Sequence, residues 1–145
     1  MKTNNRGRAG ENEAKVKSRL QQLGFQLNGK RRFVQDDVEI SVDESFIYDK
    51  RDYYVEIDSG NMAKLLAGQY MLLNELIPRL SSPPFFLVVH MYNGYNPERT
   101  LKNLRLLNRN LYGGTGIEFG AMHFDEFEDI GHDAGALLAR VRPAQ

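Results

Sequence analysis

Residues 53–61 read Tyr-Tyr-Val-Glu-Ile-Asp-Ser-Gly-Asn. β-Branched and aromatic residues followed by a Gly-Asn stop predict a strand that ends near Asp58. Side chains alternate along a strand, so Glu56 and Asp58 share one face. Val55 and Ile57 point the other way, into a core. Two carboxylates side by side on a short, otherwise apolar strand need a physical reason.

The preceding segment sharpens the question. Ser45–Tyr48 reads as a second strand, joined to Tyr53–Asp58 by a tight turn, Asp49-Lys50-Arg51-Asp52. Pairing Asp49 with Asp52 sets Asp43 opposite Asp58 and Ser45 opposite Glu56. Asp43, Glu56 and Asp58 then cluster at one end of a hairpin. Like charges facing each other destabilise a sheet unless something positive sits among them. With only oxygen ligands on offer, Mg²⁺ or Mn²⁺ suits such a cluster. The competing reading is an exposed hairpin end whose charges are hydrated and screened.

Further elements follow from periodicity. Glu11–Gly24 predicts a helix with the apolar stripe Val16, Leu20, Leu23. Glu13 falls on that stripe and Glu11 does not. A carboxylate on a buried stripe is costly unless it is paired or binds a metal; a helix-start Glu that stays wet and favours the dipole is the other reading. Arg32–Val42 contains the alternation Val38, Ile40, Val42 and is read as one strand. Residues 62–77 predict a helix stopped by Pro78. Phe85–Tyr92 is nearly all apolar, as in a central strand buried on both faces. A helix from Pro97 to Tyr112, a strand over Ile117–Phe124 and a short helix within Asp133–Val141 complete the chain. The order α-βββ-α-β-α-β-α predicts an α/β fold, a mixed central β-sheet flanked by helices. Residues 1–9 read as a flexible basic arm and residues 10–145 as a single domain.

The chain has 145 residues, 41% hydrophobic and 26% charged, with a formal net charge of zero. That balance conceals blocks. Residues 1–33 carry +7, residues 34–58 carry −7, residues 59–116 carry +4 and residues 117–145 carry −4. Solvated faces of both signs give such blocks; so does a cation site beside a groove for a polyanion. Lys30-Arg31-Arg32 and the N-terminal arm are the basic residues best placed for nucleic acid, since they lie close in sequence to Glu13 and the first strand. The chain has no cysteine, which excludes disulfides and thiolate metal sites. The N-terminus is polar and no apolar run approaches a membrane span, so a soluble cytoplasmic protein is expected.

In order and spacing, these elements resemble the PD-(D/E)XK, or restriction-endonuclease-like, nuclease superfamily. The matching residues are Glu13 in GENEAKVKSRLQQLGF, Val42-Asp43, and Glu56-Ile57-Asp58. The resemblance covers roughly residues 10–92. It implies a metal-dependent endonuclease hydrolysing DNA phosphodiester bonds, in a defence, repair or mobile-element setting. It also implies Asp43 and Glu56 as Mg²⁺ (or Mn²⁺) ligands, Asp58 as a third ligand or water-orienting group, and Glu13 at a second cation or outer-shell water. The pattern's lysine is replaced here by Asp58. Lys64, about one and a half turns into the second helix, could reach back in its place; a solvated helix lysine is the plain alternative. Gln69 resembles a helix glutamine of some members. The resemblance allows a homodimer that cuts two strands, and the small size points to structure-specific cutting or to a partner protein that supplies targeting. A non-catalytic module that binds nucleic acid or protein with a degenerate nuclease fold is the rival expectation.

Other polar residues read as structural. Arg99, Lys102, Arg105 and Arg109 fit a solvated helix face, His90 a packed core position, and His132-Asp133 a helix cap.

Overall fold

In chain order the elements are α1 (Asn5–Gln22), β1 (Arg31–Gln35), β2 (Val38–Val42), β3 (Glu44–Tyr48), β4 (Arg51–Asp58), α2 (Ala63–Leu76), β5 (Phe85–His90), α3 (Glu98–Tyr112), β6 (Glu118–His123), a 3₁₀ segment (Phe124–Asp129) and α4 (Ala134–Val141). The computed structural model describes residues 5–78 and 82–141, with side chains from Gly10 onward. No helix among them is long and apolar enough to cross a membrane.

The main sheet has four strands in the order β3-β4-β5-β6. β3 and β4 are antiparallel, and β4-β5 and β5-β6 are parallel, so the sheet is mixed. Alternation distributes its two faces. Tyr53, Val55, Ile57, Leu87 and Val89 meet Val16 and Leu20 of α1 and Leu137 and Leu138 of α4. Tyr54, Phe86 and Val88 meet Leu66, Tyr70 and Leu73 of α2 and Leu104 of α3. All six residues of β5 are buried, as two covered faces require. At the β3 edge, Phe46 stacks on Tyr53 with centroids 4.9 Å apart, a pairing worth about 0.5–1.5 kcal/mol beyond its buried area. At the opposite edge, Gly120 of β6 lies against the last turn of α4: a Cβ there would overlap the carbonyl oxygen of Val141.

Four expectations need correction. Residues 32–42 are a hairpin rather than one strand. The chain reverses at Asp36-Asp37, both at positive φ (50° and 63°), and β1 and β2 pair as a separate two-stranded sheet. Asp tolerates this left-handed geometry because its short polar side chain bonds locally. Next, the β3–β4 turn is the two-residue Asp49-Lys50, with Tyr48 opposite Arg51. The register therefore moves by two, and Asp43 comes level with Glu56 rather than Asp58. Because the slip is even, no side chain changes face. Third, α1 begins at Asn5, so residues 5–9 of the expected arm are helical; Met1–Asn4 lie outside the described residues. Lastly, Lys64 is the second residue of α2, within its first turn.

Candidate functional site

Asp43 occupies the corner at which the chain leaves the β1–β2 hairpin and enters the main sheet. β3 starts at Glu44, paired with Val55, so no strand partner reaches Ile57 on that side of β4. The Asp43 carboxylate takes that place, its Oδ2 accepting the Ile57 N–H at 2.8 Å. The bond fixes Asp43 against β4, beside Glu56.

Glu56 points from β4 toward α2. Burial, then the charge of Asp43, push its carboxyl up to about 8. Asp43 hydrogen-bonds it, and Gln69 donates to it in partial compensation. Glu13 joins from α1. Its carboxyl is raised, first by burial and then by Asp43, which it hydrogen-bonds; Lys17 and Lys30 oppose the shift. Three carboxylates from α1, the β2–β3 corner and β4 thus form one line, Glu13–Asp43–Glu56. Repulsion within such a line favours holding a proton or a cation. Glu13 lies well inside α1 rather than at its start, and it is partly buried with its carboxyl against Asp43.

Asp58 departs from the expected trio. Its Oδ2 lies 3.0 Å from His90 Nδ1 on β5, and its Oδ1 accepts the Gly60 N–H at 3.2 Å. Asp58 and His90 are register partners in the parallel β4–β5 pair, so the imidazole captures the carboxylate. Among the described residues no three His, Asp or Glu side chains close on a common metal centre.

A cleft of about 730 Å³ lies between the hairpin and α2, with Glu56 and Asp58 in its lining. Lys30, Arg32 and Lys64 line it with positive charge, and Met62 and Leu65 with apolar surface. Arg32 is paired with Glu39 across the hairpin at 2.6 Å. Arg31 turns aside and lies over the rings of Phe33 and Tyr54, 5.7 and 5.6 Å from their centroids. Gln69 is buried, and its Nε2 donates to Ser41 O at 2.9 Å. It ties α2 to the hairpin and to Glu56, a supporting part rather than an exposed contact for nucleic acid.

Sequence reasoning missed the network that joins His90, Thr100 and Tyr95 to Asp58. His90 is a core residue as expected, yet both ring nitrogens are engaged. The only signal was register: His90 is identifiable as the partner of Asp58 once β4 and β5 are known to be parallel neighbours. On α3, Arg105 pairs with Glu98 and Arg99 lies over Tyr95, in keeping with a surface helix. Asp133 accepts the Gly135 N–H at the start of α4, as a cap does. Compared with known proteins, the chain matches no family model, no curated protein and no solved structure.

Proposed function

We propose that this chain is a Mg²⁺- or Mn²⁺-dependent endonuclease that hydrolyses DNA phosphodiester bonds. The observation that carries the reading is the line Glu13–Asp43–Glu56, carboxylates from separate elements that couple through Asp43, with Glu56 at the end of the line in the lining of the cleft. The donor set fits a hard cation: oxygen ligands only, with the Glu56 carboxyl raised by burial and by Asp43. Mg²⁺ is commonly held by one or two carboxylates, with water and phosphate oxygens in its other positions, so a closed set of three protein ligands is not required. The resemblance to the PD-(D/E)XK superfamily supports the same reading, as does the order of helix, strands, helix and parallel strand. Four strands rather than three precede α2 here.

In this reading Asp43 and Glu56 hold the cation, and Glu13 holds an outer-shell water or a second cation. The cation supplies Lewis acidity and lowers the pKa of bound water. Lys30, Arg32 and Lys64 attract the phosphates. Asp58 accepts a hydrogen bond from the attacking water. The water oxygen bonds to phosphorus and the P–O bond to the leaving nucleotide breaks. The water's proton goes to solvent, and the leaving oxygen takes one up.

The test is cleavage of plasmid, single-stranded and branched DNA, and of RNA, in Mg²⁺, Mn²⁺ or EDTA, beside Glu56→Ala. The expected result is metal-dependent cutting that the substitution abolishes. Cutting that survives EDTA or Glu56→Ala refutes the reading. Salt-sensitive binding of DNA with no cutting by the folded protein favours the non-catalytic module instead.

A further inference from the structure

Behind Asp58 runs a buried polar chain that the reading above leaves idle. His90 Nδ1 is 3.0 Å from Asp58 Oδ2, and His90 Nε2 is 2.8 Å from Thr100 Oγ1. Thr100 Oγ1 is in turn 3.1 Å from the Tyr95 hydroxyl. The Tyr95 ring also stacks on the imidazole, centroids 4.1 Å apart. His90 and Thr100 are fully buried, and Tyr95 and Asp58 are 7% and 9% exposed. Taking four polar groups out of water is unfavourable unless each is satisfied. Aliphatic side chains would fill the same space without that risk.

One assignment of donors satisfies every member of the chain. An ionised carboxylate only accepts, so His90 donates from Nδ1. In the neutral ring Nε2 then accepts from Thr100. Thr100 has spent its one proton and accepts from Tyr95. Each proton has an acceptor and none is left over. In that assignment the chain runs from Tyr95 to Asp58, and Asp58 is its one member in the lining of the cleft.

We propose that His90, held as the Nδ1–H tautomer by Thr100 and Tyr95, is a positioning residue that fixes Asp58 for the hydrolytic water. It acts where the nuclease pattern has a lysine and this chain has none. The inference rests on the phosphodiesterase reading of the cleft. His90 and the Gly60 N–H hold the Asp58 carboxylate from two sides, leaving lone pairs on both oxygens. Without them the Asp58 carboxylate loses the two donors that fix its orientation.

The test has two arms on the full chain. In the first, imidazole ¹⁵N shifts of the metal-free protein report the ring. The expected result is a neutral His90 protonated at Nδ1; an Nε2–H tautomer or a charged ring at neutral pH overturns the proposal. In the second, kcat and KM are measured for Thr100→Val, Tyr95→Phe and His90→Asn with Mg²⁺. Thr100→Val is expected to lower kcat about 10- to 100-fold, as loss of an outer-shell partner does, with KM within about 2-fold of wild type. His90→Asn keeps an N–H near the Nδ1 position and is expected to retain more activity than Thr100→Val. Unchanged kcat in Thr100→Val and Tyr95→Phe, beside an active wild type, overturns the proposal alone. A wild type that cuts nothing overturns the phosphodiesterase reading, and with it the role assigned to Asp58.

Discussion

Glu56→Gln tests the cleft floor without metal or substrate. Glutamine keeps the shape of a protonated glutamate and its ability to donate to Asp43, but it never ionises. In the folded protein the Glu56 carboxyl is raised from an ordinary 4.5 to about 8, by burial and by Asp43. Below pH 4.5 folded and unfolded chains both hold the proton, and the wild type bears no penalty. Between 4.5 and about 8 the unfolded chain releases it while the folded chain keeps it, so stability falls as pH rises. Above pH 8 the full penalty is present. The gap corresponds to a ceiling of roughly 5 kcal/mol. For a chain of this length that is about 15 °C in melting temperature, at about 3 °C per kcal/mol. Urea and thermal melts of both proteins in EDTA at pH 5, 7 and 8.5 measure it. Glu56→Gln is expected to match the wild type at pH 5 and to exceed it progressively at 7 and 8.5. Millimolar Mg²⁺ is expected to narrow the gap at pH 8.5 by stabilising the wild type alone. Parallel pH profiles for the two proteins would falsify the electrostatic account of the site.

Three further outcomes test the surrounding structure. Gly120→Ala drives a Cβ into the Val141 carbonyl and is expected to cost more than about 2 kcal/mol in urea unfolding, because backbone rather than a side-chain tip must move. Lys50→Gly relieves a positive φ of 63° in the β3–β4 turn; a gain of about 0.5–1 kcal/mol is expected, and a loss refutes the strain assigned there. Gln69→Ala removes donors to Ser41 O and Glu56. It is expected to cost about 1–2 kcal/mol and to steepen the fall in stability toward pH 8; a flatter profile refutes its role as partner of Glu56.

The strand over Tyr53–Asp58 was legible because one face of it is apolar and the other is not, and register errors of two leave that alternation intact; its first two residues, Arg51 and Asp52, were read as turn. α2, β5 and α3 were legible because periodicity and Pro or Gly stops bound them. The first hairpin was hidden: Asp36-Asp37 turns the chain without the glycine that usually marks such a reversal. The start of α1 was hidden because Asn5–Gly10 carries no apolar stripe. Glu13 was visible as an oddity, a carboxylate on a buried stripe, but its partner 30 positions away was not. The tie between Asp58 and His90 depends on strand pairing across a helix, which no local pattern records.

The β1–β2 hairpin shares no backbone ladder with the main sheet. Its attachment over the cleft is by side chains: Phe33 and Ile40 on the α2 face, Arg31 over Tyr54, and Ser41 to Gln69. A two-stranded ribbon has little stability of its own, and lifting it breaks no hydrogen bond of the central sheet. The roof of the cleft can thus open without disrupting the central sheet. A groove whose roof lifts can admit a long polymer sideways, at any point along its length, with no free end to thread.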